Sequence, residues 1–421
     1  MKTHLKNIVV LLLASCPPLL GAAGPVNLDD CTRAALSRSE TLATEQELVS
    51  QAEATYDRAW GAILPSVNAY YTYVRRDGST YHGSGNTSSS PAQQTLRVSG
   101  DQPLFRGFRD TAALHAARAF ITSEKQSGAW AGLQVYRDVV QGYYARLAAE
   151  KDLALLDKEL EQYRKRIDLI EERINIGRSR VSEALTLKAA RAILKAQRDQ
   201  VVGQVDVAKE VLSFLTGLDS NIPLDDSEAE PAVMGPLQDY QSKVDSRPDV
   251  EAAKANVDAF KFKTSIAKGE RLPSADVIAN LYAQRPDRHD NGVWDAELAV
   301  ALPIFTGGII SSDVKIAQSQ ERVAEDRLTL AQRLALEEIR SLYHNLTADL
   351  AQTTSLREAF DASEKNYKAV VKDYDLGLVT NLDVLQALTA YQDTERSLEK
   401  VRYLAKIDRR RLEASVAKAM P

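Results

Sequence analysis

Apolar positions along this chain follow two periods, and the longer one occurs twice. Leu153, Leu156, Leu160, Tyr163, Ile167, Ile170 and Ile174 recur at alternating spacings of three and four and close on Gly177. Thr353, Leu356, Phe360, Ser363, Tyr367, Val370 and Tyr374 do the same 200 positions on and close on Gly377. A period of about 3.5 held this long is that of a coiled-coil seam, not of a globular helix. No proline interrupts Phe105 to Gly177 or Phe305 to Gly377. At 1.5 Å per residue each arm would reach about 100 Å, the length of a strut or a tube wall.

Past each glycine the pattern turns back. Leu194, Val201, Val205, Ala208, Leu212 and Leu215 predict a return helix in the first copy, and Leu385, Leu388, Leu398, Ala405 and Leu412 a looser one in the second. Before each arm the order is also shared. Residues 28–63 predict one helix, capped by Asn27 and ended by Leu64-Pro65-Ser66, because a residue before proline avoids the helical region. Its counterpart opens at Arg247-Pro248-Asp249-Val250 and ends at Leu272-Pro273-Ser274, an offset of 208. Between helix and arm the period falls to two, predicting strands 67–74 and 95–104 in the first copy and 276–284 and 294–302 in the second. Arg75 to Gln94 reads as a polar loop, and the second loop is eight residues shorter. The chain thus divides into an export signal (1–23), a first repeat (24–217, hairpin 106–217), a linker (218–236) and a second repeat (237–417, hairpin 306–417). The acidic linker, with Asp225, Asp226, Glu228 and Glu230, reads as solvated.

Composition narrows the classes. Of 421 residues 26% are charged and the net charge is −5, which excludes the basic footprint of a nucleic-acid binder. Lys2 and Lys6 precede an apolar core from Ile8 to Leu13, and Gly21-Ala22-Ala23 suits cleavage after Ala23. Leu13-Ala14-Ser15-Cys16 also fits a lipoprotein box, with Cys16 the lipidated residue. Either reading exports the protein. No nucleophile motif or phosphate loop occurs, and His4, His82, His115, His289 and His344 lack metal-ligand spacing. No enzyme, cofactor or metal centre is expected.

In the last strand Trp294, Ala296, Leu298, Val300 and Leu302 share one face and Asp295, Glu297, Ala299 and Ala301 the other. That is the alternation of a membrane barrel wall, although a small soluble sheet capping a helical bundle would show it too. Four short strands cannot close a barrel, so a barrel requires several chains.

The duplicated plan resembles the TolC-like outer-membrane factor family, the exit ducts of tripartite efflux pumps and type I secretion systems. Its carrying motifs are Arg247-Pro248-Asp249-Val250-Glu251-Ala252-Ala253, the two Leu-Pro-Ser turns, Leu302-Pro303-Ile304-Phe305-Thr306-Gly307-Gly308 and Leu376-Gly377-Leu378-Val379-Thr380-Asn381-Leu382-Asp383-Val384-Leu385. The resemblance implies a mainly α chain with a small transmembrane β part. It implies a homotrimer with a twelve-stranded barrel in the outer membrane of a Gram-negative bacterium and a helical tunnel in the periplasm. It further implies a passive conduit opened by a periplasmic adaptor and an inner-membrane pump. The adaptor would dock on Gly177, Arg178, Ser179, Gly377, Leu378, Val379 and Thr380, with Ser179 and Thr380 as helix caps. The periplasmic gate would use Ser182, Glu183, Tyr374 and Asp383, and Arg97, Asp295 and Glu297 would face the barrel lumen. Val379 and Gln386 stand where some members carry a bracing arginine and a second acidic ring. A periplasmic coiled-coil adaptor or scaffold without a pore is the alternative.

Overall fold

The computed structural model describes residues 24–75, 92–230, 234–285 and 293–417. The export signal, Cys16 and most of the first polar loop lie outside the described residues. α1 (Leu28–Arg38) and α2 (Glu40–Gly61) lead into β1 (Ser66–Arg75) and β2 (Ala92–Arg106). The first hairpin follows as α3 (Arg109–Asn175) and α4 (Val181–Thr216). After the linker come α5 (Leu237–Gln241), a 3-10 turn at Val244–Ser246, α6 (Pro248–Gly269), β3 (Ser274–Gln284) and β4 (Trp294–Ala301). The second hairpin is α7 (Ile309–Asp375) and α8 (Asn381–Ser415). α3 and α7 are both 67 residues long, and α2 and α6 both 22, so the duplication holds residue for residue in these helices.

The single helix expected over 28–63 is two. Ser39 leaves the helical region (φ −59°, ψ 114°), and its hydroxyl caps the Leu42 amide at 3.3 Å. Asn27 caps α1 as expected, accepting from the Asp30 amide at 2.8 Å.

The arms pack along the predicted seam. Leu156, Tyr163, Ile167 and Ile170 of α3 are buried with Leu187, Leu194, Val201 and Val205 of α4, and Tyr374, Val384, Leu388 and Tyr391 of the second hairpin join them. Each fully covered aliphatic side chain contributes about 1.5–3 kcal/mol. One seam neighbour is ionisable: Glu159 is 4% exposed on α3, facing α8. Arg396 is committed to Asp152, at 2.6 and 3.0 Å. Burial, opposed by Arg396 and reinforced by Asp393, Asp152 and Glu395, pushes the Glu159 carboxyl from 4.5 up to about 7. The unfolded chain loses this proton near 4.5 and the folded one near 7. Stability tied to Glu159 is therefore complete below pH 4.5, falls between the two values and is absent above 7. Glu159→Gln is expected to raise the melting midpoint at pH 8, with up to about 3 kcal/mol behind it, and to leave it unchanged at pH 4. Scanning calorimetry at the two pH values checks this; equal midpoints at pH 8 would contradict it.

The linker is not solvated. Val26 pairs with Leu224 in a parallel bridge, and the Tyr143 hydroxyl donates to the Asp225 carbonyl. Asp226 accepts from Tyr403 Oη at 2.5 Å and Lys406 Nζ at 2.8 Å. Glu228 pairs with Arg410 at 2.8 Å, and Glu230 with Arg357 at 2.7 Å and Arg402 at 2.5 Å. Three of the four acids that sequence alone leaves in water, Asp226, Glu228 and Glu230, meet a base on α7 or α8, while the Asp225 carboxylate accepts from Ser227, so the linker is a strap across the second hairpin.

Candidate functional site

Two places can carry function: the hairpin tips and the sheet. At both tips a Schellman motif stops the long helix. The Gly177 amide donates to the Ile174 carbonyl at 2.9 Å and the Arg178 amide to the Arg173 carbonyl at 2.7 Å. Gly377 and Leu378 repeat this on Tyr374 and Asp373 at 3.0 and 2.9 Å. The reversal needs positive φ, which is +75° at Gly177 and +79° at Gly377. Thr380 then caps α8 in a reciprocal box, its amide and hydroxyl donating to Asp383 Oδ2 at 2.7 and 2.6 Å. These two bonds hold the Asp383 carboxyl below its ordinary value.

The first tip departs from expectation. Ser179 is not the cap of α4; Arg180 occupies that position, with no side-chain oxygen to offer the helix amides. The Ser179 hydroxyl reaches Glu183 Oε2 instead, at 3.1 Å. Counting 200 back from Thr380 lands on Arg180, so the true counterpart of Ser179 is Val379.

Of the four expected gate residues, only Tyr374 bridges the two hairpins. It is 7% exposed, with the Arg166 guanidinium 4.2 Å and the Arg173 guanidinium 4.5 Å from its ring centre. Arg166 Nε donates to Asn381 Oδ1 at 3.0 Å, and Arg173 Nη2 lies 3.0 Å from Asp375. The end of α3 thereby holds the end of α7 and the start of α8. Burial pushes the Arg166 guanidinium below its ordinary value. Ser182 is exposed, and Glu183 and Asp383 make their hydrogen bonds within their own tips. Arg166, Arg173 and Asn381 are new to the site. The two arginines are seven apart on one helix face, which was the only trace of them in the sequence.

The sheet runs β1-β2-β3-β4, all antiparallel. Residues directly opposite share a face, so the register sorts the side chains. Val67, Tyr71, Leu96, Val98, Trp294 and Leu298 fall on one face and are all exposed. Arg97, Asp295 and Glu297 fall on the other, beside Asn68, Ser99 and Asn280. There Arg97 lies 5.0 Å over the Tyr70 ring, and Asn280 Nδ2 donates to Asp295 Oδ1 at 2.8 Å. Among the described residues no three or more His, Cys, Asp or Glu side chains are grouped to hold a metal ion.

Known proteins share this architecture. BepC, an outer membrane efflux protein of Brucella suis biovar 1, is 26% identical over 311 residues, covering 70% of this chain and 65% of its own length. TolC of Salmonella enteritidis is 21% identical over 360 residues, covering 76% and 73%. The crystal structure of the outer membrane protein VceC of Vibrio cholerae superposes with a TM-score of 0.81 over 92% of this chain and 95% of that one. At 19% identity this last likeness concerns the fold. The family model described as "Outer membrane efflux protein" matches residues 32–218 and 240–418, one segment for each repeat. The chain belongs to the outer membrane efflux protein family.

Proposed function

We propose that the protein is an outer-membrane export duct of a Gram-negative cell, serving a tripartite efflux pump or a type I secretion system. The two-faced sheet carries this reading. Its aromatic and aliphatic face suits lipid and its Arg, Asp and Glu face suits a wet lumen. An open edge is costly in hydrocarbon, and β1 and β4 each end the sheet with one side unpaired. Three copies supply twelve strands, close the barrel and continue it as a helical tunnel through the periplasm. A soluble scaffold would leave Val67, Tyr71, Trp294 and Leu298 in water as a contiguous apolar patch, which single soluble proteins avoid.

The duct does no chemistry. A periplasmic adaptor docks on the tips, around Gly177, Arg178, Ser179, Gly377, Leu378, Val379 and Thr380. Ile176, Val181, Leu376 and Leu378 are exposed there and offer it apolar contact. An inner-membrane transporter supplies the energy. Tyr374 closes the periplasmic entrance with Ser182 and Glu183, and three copies of Asp383 form an acidic ring that favours cations. Asp383→Asn keeps an oxygen for the Thr380 cap and removes the charge. It is expected to lower the cation preference in bilayer recordings while melting stays within about 1 kcal/mol; an unaltered reversal potential would remove Asp383 from the pore.

Outer-membrane fractionation, with electrophoresis in SDS before and after boiling, tests the whole reading. A heat-modifiable trimer in that fraction is the expected result. A periplasmic species with no heat-dependent shift would overturn it.

A further inference from the structure

A cavity of about 240 Å³ lies between the two hairpins, lined by Gln134, Arg137 and Asp138 of α3, Glu338 and Leu342 of α7 and Arg411 of α8. One ordered water needs only about 15 Å³, so the space is larger than a bridging water fills.

Two of its cations are under-used. Arg137 is 9% exposed, and its Nη1 reaches Glu338 at 2.6 Å, but its Nε and Nη2 have no hydrogen-bond partner. Arginines elsewhere in the chain grip a carboxylate by that same edge. Arg247 holds Asp249 through Nε and Nη2 at 3.0 and 2.9 Å, and Arg396 holds Asp152 through the same pair of nitrogens at 2.6 and 3.0 Å. Such an edge matches two oxygens of an oxyanion. Arg411 is the second cation. Arg409 pairs with Glu413 and Arg410 with Glu228, whereas the half-buried Arg411 has no hydrogen bond or ion pair among the described residues. Asp408, one turn earlier, feels its charge without pairing with it.

The acids nearby are already committed or lie in water. Glu338 is shared between Arg137 at 2.6 Å and Arg247 at 2.9 Å, and Asp249 is taken by Arg247. Burial holds the Arg137 guanidinium below its ordinary value even with Glu338 beside it, and Arg247 adds to the effect. Asp138 is exposed at the rim. An acceptor beside two donors discriminates between anions. Near neutral pH hydrogen phosphate keeps a proton that it can donate to a carboxylate, whereas sulfate has none and meets Asp138 as a like charge.

We infer that this cavity binds inorganic phosphate, with the Nε–Nη2 edge of Arg137 and the Arg411 guanidinium taking its charged oxygens and Asp138 accepting its proton. The ligand is the free ion and not a lipid headgroup, since Arg137 lies 28 residues along α3 from Arg109, about 40 Å from the sheet. All six lining residues belong to one chain, so the site stands apart from the duct reading. Bound there, phosphate bridges α3 to α8 and ties the first hairpin to the second.

Calorimetric titration of the full-length protein in detergent with inorganic phosphate, at an ionic strength held constant with chloride, tests this. One phosphate per chain should bind saturably in the millimolar range, and sulfate at least tenfold more weakly. Arg411→Gln should weaken phosphate binding tenfold or more. Because Arg411 has no partner within the chain, circular dichroism and the melting midpoint without phosphate should stay at the wild-type level. Asp138→Asn should remove the preference for phosphate over sulfate. No saturable heat from phosphate in the wild type overturns the site, as does undiminished binding to Arg411→Gln. A wild type that binds both ions equally overturns the assignment to phosphate. The duct reading is tested separately, by fractionation.

Discussion

Replacing both latch arginines, Arg166→Ala with Arg173→Ala, is expected to raise the resting conductance of the reconstituted duct several-fold. Tyr374 is held by two guanidinium groups, Asn381 by one of them and Asp375 by the other. A cation–π contact contributes about 1 kcal/mol and a hydrogen bond from a charged group about 1.5. Discounting the exposed Arg173–Asp375 pair for solvent screening, the latch is worth roughly 3 kcal/mol in each chain. That shifts a closed-to-open ratio by about two orders of magnitude. Arg166→Lys keeps the charge and loses the planar fork, so its conductance should fall between wild type and Arg166→Ala. Single-channel recording in planar bilayers measures all four proteins. If the double variant conducts as the wild type does, Tyr374 is seam packing and the entrance is held elsewhere.

Arg247→Ala is expected to cost the most stability of any single change. Arg247 is 2% exposed, pairs with Asp249 through Nε and Nη2 at 3.0 and 2.9 Å, and lies 2.9 Å from Glu338 on α7. Arg137 of α3 reaches the same Glu338 at 2.6 Å. The Trp130 ring has Arg137 at 4.9 Å and Arg247 at 4.7 Å. Three elements therefore meet on one arginine: α3, the start of α6 and the middle of α7. Its removal leaves a hole beside two carboxylates, of which Asp249 loses its bidentate partner. Breaking a buried pair in this way costs about 3–5 kcal/mol. A lower denaturation midpoint and a smaller amount of the heat-modifiable trimer are the expected readouts. Substitution with lysine should recover only part, because an ammonium group cannot make the bidentate contact. A midpoint within about 0.5 kcal/mol of wild type would place the cluster at the surface.

What sequence could show was what short spacings encode. The seam from Leu153 to Ile174, the glycine reversals, the Thr380–Asp383 cap and the two-residue alternation of β4 all lie within a few turns of one segment. The duplication then carried each of them to a second place. Ser39 escaped because its break lies inside an otherwise helical pattern, and only a backbone angle marks it. Ser179 was misplaced by a single residue, since a hydroxyl near the turn looked like a cap. Arg166 and Asn381 meet across 215 positions and Arg137 and Glu338 across 201. Such contacts depend on how one hairpin slides along the other, which no local pattern records. The strap was misjudged for the same reason: its acids look like solvated charge until α7 and α8 are laid beneath them.

The strap also gives the second hairpin a fulcrum. Its contact on α7 nearest the tip is Arg357, twenty residues above Gly377, or about 30 Å of helix. Beyond that point the strap no longer touches the hairpin, which is held to α3 by Arg396–Asp152, Lys158–Glu395, Gln392–Gln162 and, at the tip, the Arg166–Tyr374 end. A tilt of about 10° at the strap would carry the tip roughly 5 Å sideways over that length. A partner that grips only the tip would part these contacts in order, the Arg166–Tyr374 end first and Arg396–Asp152 last.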